Sequence, residues 1–263
     1  MNCIGMLFRQ RRLIWNLTFL EFKIRYAGSR IGLAWLLIAP FMLLAAYLLL
    51  FGGILGIRPP QADAGGMDYG LLMACGLMPW AGFSEGVMRG TSVVLSQRNL
   101  MKSQLFPMEL LPVTSVCAGL VGQLCGTALL VIVIGLHGKL GPGLALLPIL
   151  LLFQVAFTIG IAWVLSSVSV LYRDLTQVIG MVMVLLMFAS PIAYTLDMVP
   201  DHLRWVITLN PLAYLIEAYR ATLLSREWPN LWGMCAFAAL AIVFLLSGYR
   251  IFMRLRRTMP DFA

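Results

Sequence analysis

Long stretches of this chain carry no charged side chain. Residues 31–57, 110–136, 140–172, 175–196 and 228–249 contain no Asp, Glu, Lys or Arg. A helix needs about 20 predominantly apolar residues to cross a hydrocarbon core of about 30 Å, and each stretch is long enough. A sixth stretch, 69–97, begins apolar but holds Glu85 and Arg89. It too is read as a span, because a loop running from 58 to 109 would otherwise place many apolar residues in water. With turn signals placing the ends, the predicted transmembrane helices are 31–57, 69–97, 109–136, 144–171, 175–196 and 230–253. The fold class is therefore an all-α polytopic membrane protein with six transmembrane helices.

Composition agrees. Of 263 residues, 61% are hydrophobic and 11% charged, and the mean hydropathy is +0.90; soluble domains carry about 25% charge. Backbone groups in lipid must be satisfied internally, which favours helices. Six spans put both termini on one side. Of the 19 Lys and Arg residues, 13 fall on the side of the termini and 5 on the other, with Arg89 inside the second span. Basic residues concentrate on cytoplasmic loops, so both termini are expected in the cytoplasm. The same rule accounts for the net charge of +8 without nucleic acid.

Several function classes lose support. Cys3, Cys75, Cys117, Cys125 and Cys235 show neither CxxC spacing nor a neighbouring His, which argues against a metal site or disulfide framework. His137 and His202 are solitary. A cleaved leader fits poorly, since the first apolar run starts after Arg30 and outlasts a 7–15-residue leader core. The phosphate-binding GxxxxGK[ST] pattern is absent; the one Gly-Lys pair, Gly138-Lys139, continues with Leu140. The chain is thus expected to bind no cofactor and to hydrolyse no ATP. It is read as no enzyme.

Residues 1–30 are too charged to cross lipid. Read as a helix, 8–27 shows two apolar stripes: Leu13, Leu17, Leu20 and Ile24 on one face, and Phe8, Trp15, Phe19, Phe22 and Tyr26 roughly opposite. Such a helix suits the cytoplasmic membrane interface, either as an anchor or as a lever worked by a partner. The segment RNLMKSQLFPMELLP, residues 98–112, is short, mixed in character and closed by Pro107 and Pro112. It reads as a docking helix or as an ordinary basic loop.

Within the second span, Glu85 and Arg89 are four residues apart, on one helix face, and expected near mid-membrane. Buried charges are costly, so the two either neutralise each other or line a polar path. Gly82, Gly86 and Gly90, and likewise Gly122 and Gly126, repeat at the spacing that permits close helix contact. Trp35, Tyr47, Phe83 and Tyr194 are aromatic candidates for sugar stacking, with interfacial belts as the plainer explanation. Trp80 is placed in the outer belt. Between the last two spans, Asn210 and Pro211 form a helix-start signal. The helix to Leu224 would be about 21 Å long, too short to span, and carries Glu217, Tyr219 and Arg220. It is expected at the outer interface or dipping in and returning.

Six pieces, in order along nearly the whole chain, give a more specific signal: FKIRYAGSRIGLAW (22–35), GLMPWAGFSE (76–85), LMKSQLFPMELLP (100–112), LYRDLTQ (171–177), SPIAYTLDMVP (190–200) and NPLAYLIEAYRATL (210–223). On these the chain resembles the membrane subunit of type-2 ABC exporters for polysaccharides and polyol phosphates, the group serving O-antigen, capsule and teichoic acid export. The resemblance implies a permease moving a lipid-linked polysaccharide across the bacterial inner membrane. It implies a homodimer with two copies of a separate ATPase, which would hold ATP and Mg. An undecaprenyl-type lipid would carry the glycan, and envelope partners would extend the path. Residues 98–108, with Arg98, Lys102, Phe106 and Pro107, would form the coupling helix on the ATPase. Residues 200–224 would be external gate helices, with Asn210, Pro211, Glu217, Tyr219 and Arg220. The first, second and fifth spans would line the channel, with Glu85, Arg89, Trp35, Tyr47, Phe83 and Tyr194 on the substrate path. Ser103 and Gln104 stand where many relatives have a second basic residue. The alternative is a type-2 exporter of a drug, haem or lipid. An ion-driven transporter or a membrane enzyme would need broken-helix repeats or a catalytic cluster, and neither is evident.

Overall fold

A computed structural model describes residues 3–26, 29–56, 67–97, 106–138, 141–224, 230–256 and 258–259. Among them the regular structure is entirely helical. Two helices precede the first span: α1 (Cys3–Arg9) and α2 (Arg11–Tyr26). The first span, Gly32–Ile54, combines a 3₁₀ turn, α3 (Trp35–Tyr47) and a π-helical end at Leu48–Ile54. Then come α4 (Met67–Ser96), α5 (Leu110–Leu136), α6 (Leu147–Leu171, extended at its start by a 3₁₀ turn from Pro142) and α7 (Leu175–Ala189). The short α8 (Asp201–Thr208) and α9 (Pro211–Leu224) precede the last span, α10 (Leu231–Leu255).

Five of these helices are long and apolar enough to cross a membrane. The exception is the expected fifth span over 175–196. Its helix, α7, stops at Ala189 after 15 residues, about 22 Å. Pro191 explains the stop. The residue before a proline is pushed out of the α region, and Ser190 is extended at φ −98°, ψ 141°. Hydropathy registers how apolar 190–196 is; it does not register the break.

The helix α4 forms the axis of the bundle. In its most apolar 18-residue stretch 78% of residues are buried, against 6% for the first span. The glycines of α4 make this position possible. A Cβ added at Gly86 would lie 2.7 Å from Thr158 Cγ2, and one at Gly90 would lie 2.5 Å from Ala162 Cβ, so α6 packs directly on them. A second close crossing joins α6 to α10, where a Cβ on Gly248 would lie 2.2 Å from the Gly160 carbonyl oxygen. Without a hydrophobic drive between helices in lipid, such approach supplies the van der Waals contact that holds them together.

Two apolar cores result. One, built on Met73, Leu77, Phe157, Leu212, Ile216 and Tyr219, joins α4, α6 and α9. The other, built on Met6, Val94, Leu110, Trp163, Tyr249 and Phe252, joins α1 to the ends of α4, α5, α6 and α10. The helix α9 is no surface helix: Leu212, Leu215, Ile216, Tyr219 and Leu223 are all at most 2% exposed.

Candidate functional site: a charged cluster, a cleft and a polar triad

The helix α2 meets the bundle on a face that neither apolar stripe anticipates. Leu13, Leu20 and Ile24 of one stripe, and Trp15 and Phe19 of the other, are exposed. The half-buried positions are Ile14, Leu17, Thr18, Glu21, Phe22 and Arg25. Two of these are charged. Glu21 accepts a short hydrogen bond from Ser115 Oγ at the start of α5. Burial raises its carboxyl above the ordinary value of 4.5, opposed by the Ser115 hydroxyl, the Arg89 charge and the Thr114 hydroxyl.

Arg25 reaches α4. Its Nη2 lies 2.5 Å from Glu85 Oε1, and Arg89 Nε lies 2.8 Å from the same oxygen. Glu85 and Arg89 therefore pair, as their spacing allows, and Arg25 joins them from a separate helix. The three side chains are 24–37% exposed, so solvent screens the pairing. Glu21 also feels the Arg89 charge, so the two guanidiniums face two carboxyl groups. Glu85 lies eleven residues before the end of α4, about 16 Å along the axis. It is the nineteenth residue of the 30-residue helix, a few residues past the midpoint, and α2 meets α4 at that level.

Beyond this cluster a cleft of about 190 Å³ separates the first span from α4 and α5. Arg25, Trp35, Glu85, Ser84, Trp80 and Gln123 are among its lining residues. Trp80 is the fourteenth residue of the 30-residue α4. It is therefore near the helix midpoint and only 8% exposed, not in an outer belt. A second hollow of about 430 Å³ lies beneath α2, walled by Leu17, Leu20, Ile24, Arg89, Phe106 and Ser115.

Gln123 also belongs to a buried triad. It exchanges hydrogen bonds with Gln154 of α6, 2.8 Å in each direction. It also donates to the Tyr219 hydroxyl at 3.1 Å. Tyr219 donates to Gln154 Oε1 at 2.8 Å, and Gln154 Nε2 donates to the Pro79 carbonyl at 2.9 Å. Every side-chain donor of the triad has an acceptor, which a buried polar network in an apolar bundle requires. A Cβ at Gly82 would fall 1.7 Å from Gln123 Oε1, so glycine there makes room for the triad. Sequence reasoning placed Tyr219 among the external residues and did not single out Gln123 or Gln154. The available signal was that they are amides in the middle of uncharged spans.

Near the start of α4, the non-helical segment after α7 is held by three side chains. Arg220 donates to the carbonyls of Ile192 (2.7 Å), Tyr194 (3.2 Å) and Leu72, and to Glu217 Oε1 (3.1 Å). Tyr69 donates to Ala193 O. Asn210 accepts from Leu212 N at 3.0 Å, capping α9, and donates to Ser190 Oγ and Ala189 O. Pro211 is the first residue of α9. Of the remaining candidates, Trp35 shares the cleft with Glu85. Tyr47 is buried against Phe51, with ring centroids 5.3 Å apart. Phe83 is buried and stacked on Phe157 at 5.7 Å; it faces the subunit's own core. The Tyr194 hydroxyl donates to Phe188 O. Trp35 is 40% exposed. Phe106 and Pro107 lie between α4 and α5, half-buried, and Pro107 O accepts from Leu110 N. Arg98 and Lys102 lie outside the described residues. Among the described residues no His, Cys, Asp and Glu cluster fits a metal ion.

Comparison with known proteins gives one coherent result. The family model described as ABC-2 type transporter matches residues 12–224. The O-antigen export system permease protein RfbA of Myxococcus xanthus is 30% identical over 253 residues, covering 94% of this chain and 93% of the relative. Two proteins of the same name from Klebsiella pneumoniae are 26% and 28% identical over 203 residues, each covering 76% of this chain and 75% of the relative.

Proposed function

Because the chain belongs to the ABC-2 type transporter family, we propose that it is the channel-forming permease subunit of an ATP-driven exporter. Its cargo is a lipid-linked polysaccharide crossing the inner membrane. The observation that carries this reading is the near full-length similarity to an O-antigen export permease. The relatives favour glycan over a drug, haem or lipid as cargo. The chain is a multi-pass membrane protein, with five helices of spanning length and α7 as a shorter sixth. The excess of basic residues on the side of the termini supports a cytoplasmic position for both.

In this reading two copies form the channel and two copies of a separate ATPase bind beneath them. Residues 98–108 are the coupling segment. The first consequence for mechanism concerns α2. A partner pushing on the cytoplasmic face moves α2, and Arg25 passes that movement to Glu85 on the central helix. The second concerns the outer side. There α9 is fixed to the bundle interior by Tyr219 and to the end of α7 by Arg220 and Asn210, so it moves with those helices.

The test is genetic and chemical. Deleting the gene should leave lipid-linked glycan inside the inner membrane, and restoring it together with its ATPase should return glycan to the outer side. Lys102→Glu should reduce co-purification of the ATPase while the permease stays folded. Normal glycan export in the deletion strain would overturn the reading.

A further inference from the structure

The segment assigned above to ATPase coupling is attached differently at its two ends. On the α4 side, Ser96 and Gln97 are exposed where the helix finishes. On the α5 side, every residue from Met108 to Leu111 is at most 5% exposed. That buried end includes a charge. The Glu109 carboxylate accepts a hydrogen bond at 2.8 Å from Arg256 Nη1, the residue after α10. The Glu109 backbone carbonyl accepts from the indole N–H of Trp163 on α6, also at 2.8 Å. Trp163 is fully buried and stands edge-on to Tyr249 of α10, with ring centroids 5.3 Å apart. Met6 of α1 and Met259 belong to the same core.

A carboxylate at the start of a helix has an ordinary use. It can accept from the free backbone N–H groups of the first turn and complement the helix dipole. Glu109 stands at the N-cap position of α5 and makes no such bond. Its side chain turns to another helix instead. Stability is a poor reason for that choice, because a buried ion pair often adds nothing over apolar side chains of similar volume. What the pair does supply is direction. It ties the start of α5 to the end of α10, while the backbone of the same residue is tied to α6.

We infer that Glu109 is a positioning residue for energy coupling: through Arg256 and Trp163 it locks the α5 end of the coupling segment to α10 and α6. Displacement of the segment then enters the bundle through these helices, which move with it because packed elements joined by hydrogen bonds shift together. This role rests on the reading above, in which residues 98–108 seat on the ATPase.

The experiment uses the permease with its ATPase in proteoliposomes and scores glycan exported per ATP hydrolysed. The double variant Glu109→Gln/Arg256→Gln removes both charges and leaves neither buried alone, so it should fold and retain the ATPase on co-purification. Its export per ATP should fall about two- to thirtyfold while hydrolysis continues. Hydrolysis by the ATPase bound to the double variant should also lose its dependence on the permease and approach the rate of the free subunit. Arg256→Lys, which keeps the charge, should stay closer to the parent in both measurements. Unchanged export per ATP in the double variant overturns the role. So does loss of folded permease or of bound ATPase in that variant, which would make the pair a structural or docking element. A parent complex whose hydrolysis depends on the permease and on this pair, yet which exports no glycan, would instead sink the export reading and leave the positioning role standing.

Discussion

Arg25 of α2 and Glu85 of α4 are 60 positions apart in the chain and meet in an ion pair at 2.5 Å. Through it, the helix that precedes the first span touches the helix that the rest of the bundle packs around. Arg89 shares the same carboxylate oxygen, so the pair is one half of a competition between two guanidiniums.

The competition sets the outcome of charge removal. Glu85→Gln leaves two arginines facing each other and should cost about 1–2 kcal/mol of stability, discounted for partial exposure. Adding Arg25→Gln should restore part of the loss, giving a coupling of about 0.5 kcal/mol or more in a double-mutant cycle. Thermal unfolding of the purified protein checks this. Export should fall in all three variants, because the link is broken in each; full export by Glu85→Gln would show that α2 does not act through this pair.

Glu21 gives a pH prediction. Its carboxyl is raised in the folded state by burial, so the folded protein binds the proton more tightly than the unfolded chain. Stability is therefore greatest below the ordinary value of 4.5 and declines as pH rises through the raised value. Glu21→Gln, which keeps an acceptor for Ser115, should be more stable than the parent at pH 7, with the difference closing as pH falls toward 4.5. Unfolding midpoints across pH measure it. A constant difference would mean that the charge is not what costs stability.

The triad makes a non-additive prediction. Tyr219→Phe removes one acceptor from Gln123 and should cost about 1–2 kcal/mol. Gln154→Leu strands Gln123 and the tyrosine hydroxyl together and should cost about 2–4 kcal/mol. The double variant should lose less than the sum, because both remove the same network. Melting curves of the four proteins decide between coupling and independence.

Glycine positions offer a sharp contrast. Gly160→Ala puts a Cβ 2.4 Å from the Phe244 backbone, and backbone cannot swing aside as a side chain can. This change should lower the yield of folded protein several-fold. Gly180→Ala on α7 meets nothing within 4 Å and should be neutral or stabilising by about 0.5–1 kcal/mol through helix propensity. Size-exclusion profiles of the two variants report the difference.

Much of the fold was legible because hydropathy reads the solvent directly. The five long helices and the Asn210-Pro211 start of α9 follow from local signals. The reading failed where geometry outweighs composition. Pro191 ends α7 inside an apolar run. The packed face of α2 is chosen by Ser115 and Glu85, remote in sequence, so that Glu21 and Arg25 turn inward with Leu17 and Phe22, while Leu13, Trp15, Phe19, Leu20 and Ile24 stay exposed. Gln123, Gln154 and Tyr219 are 31 to 96 positions apart and become a site only when three helices meet. Trp80 does not face lipid because α4 lies at the axis of the bundle, where 78% of its most apolar stretch is buried, and hydropathy does not tell a central span from a peripheral one.

The central claim is that this chain is the permease of an ATP-driven glycan exporter. It is tested most directly in inside-out proteoliposomes holding the permease with its ATPase and a radiolabelled lipid-linked glycan. The account predicts that the glycan becomes protected in the lumen when ATP is added, and that omitting the ATPase subunit or replacing ATP by a non-hydrolysable analogue abolishes protection. Protection driven by an ion gradient in vesicles that contain the permease alone would contradict it.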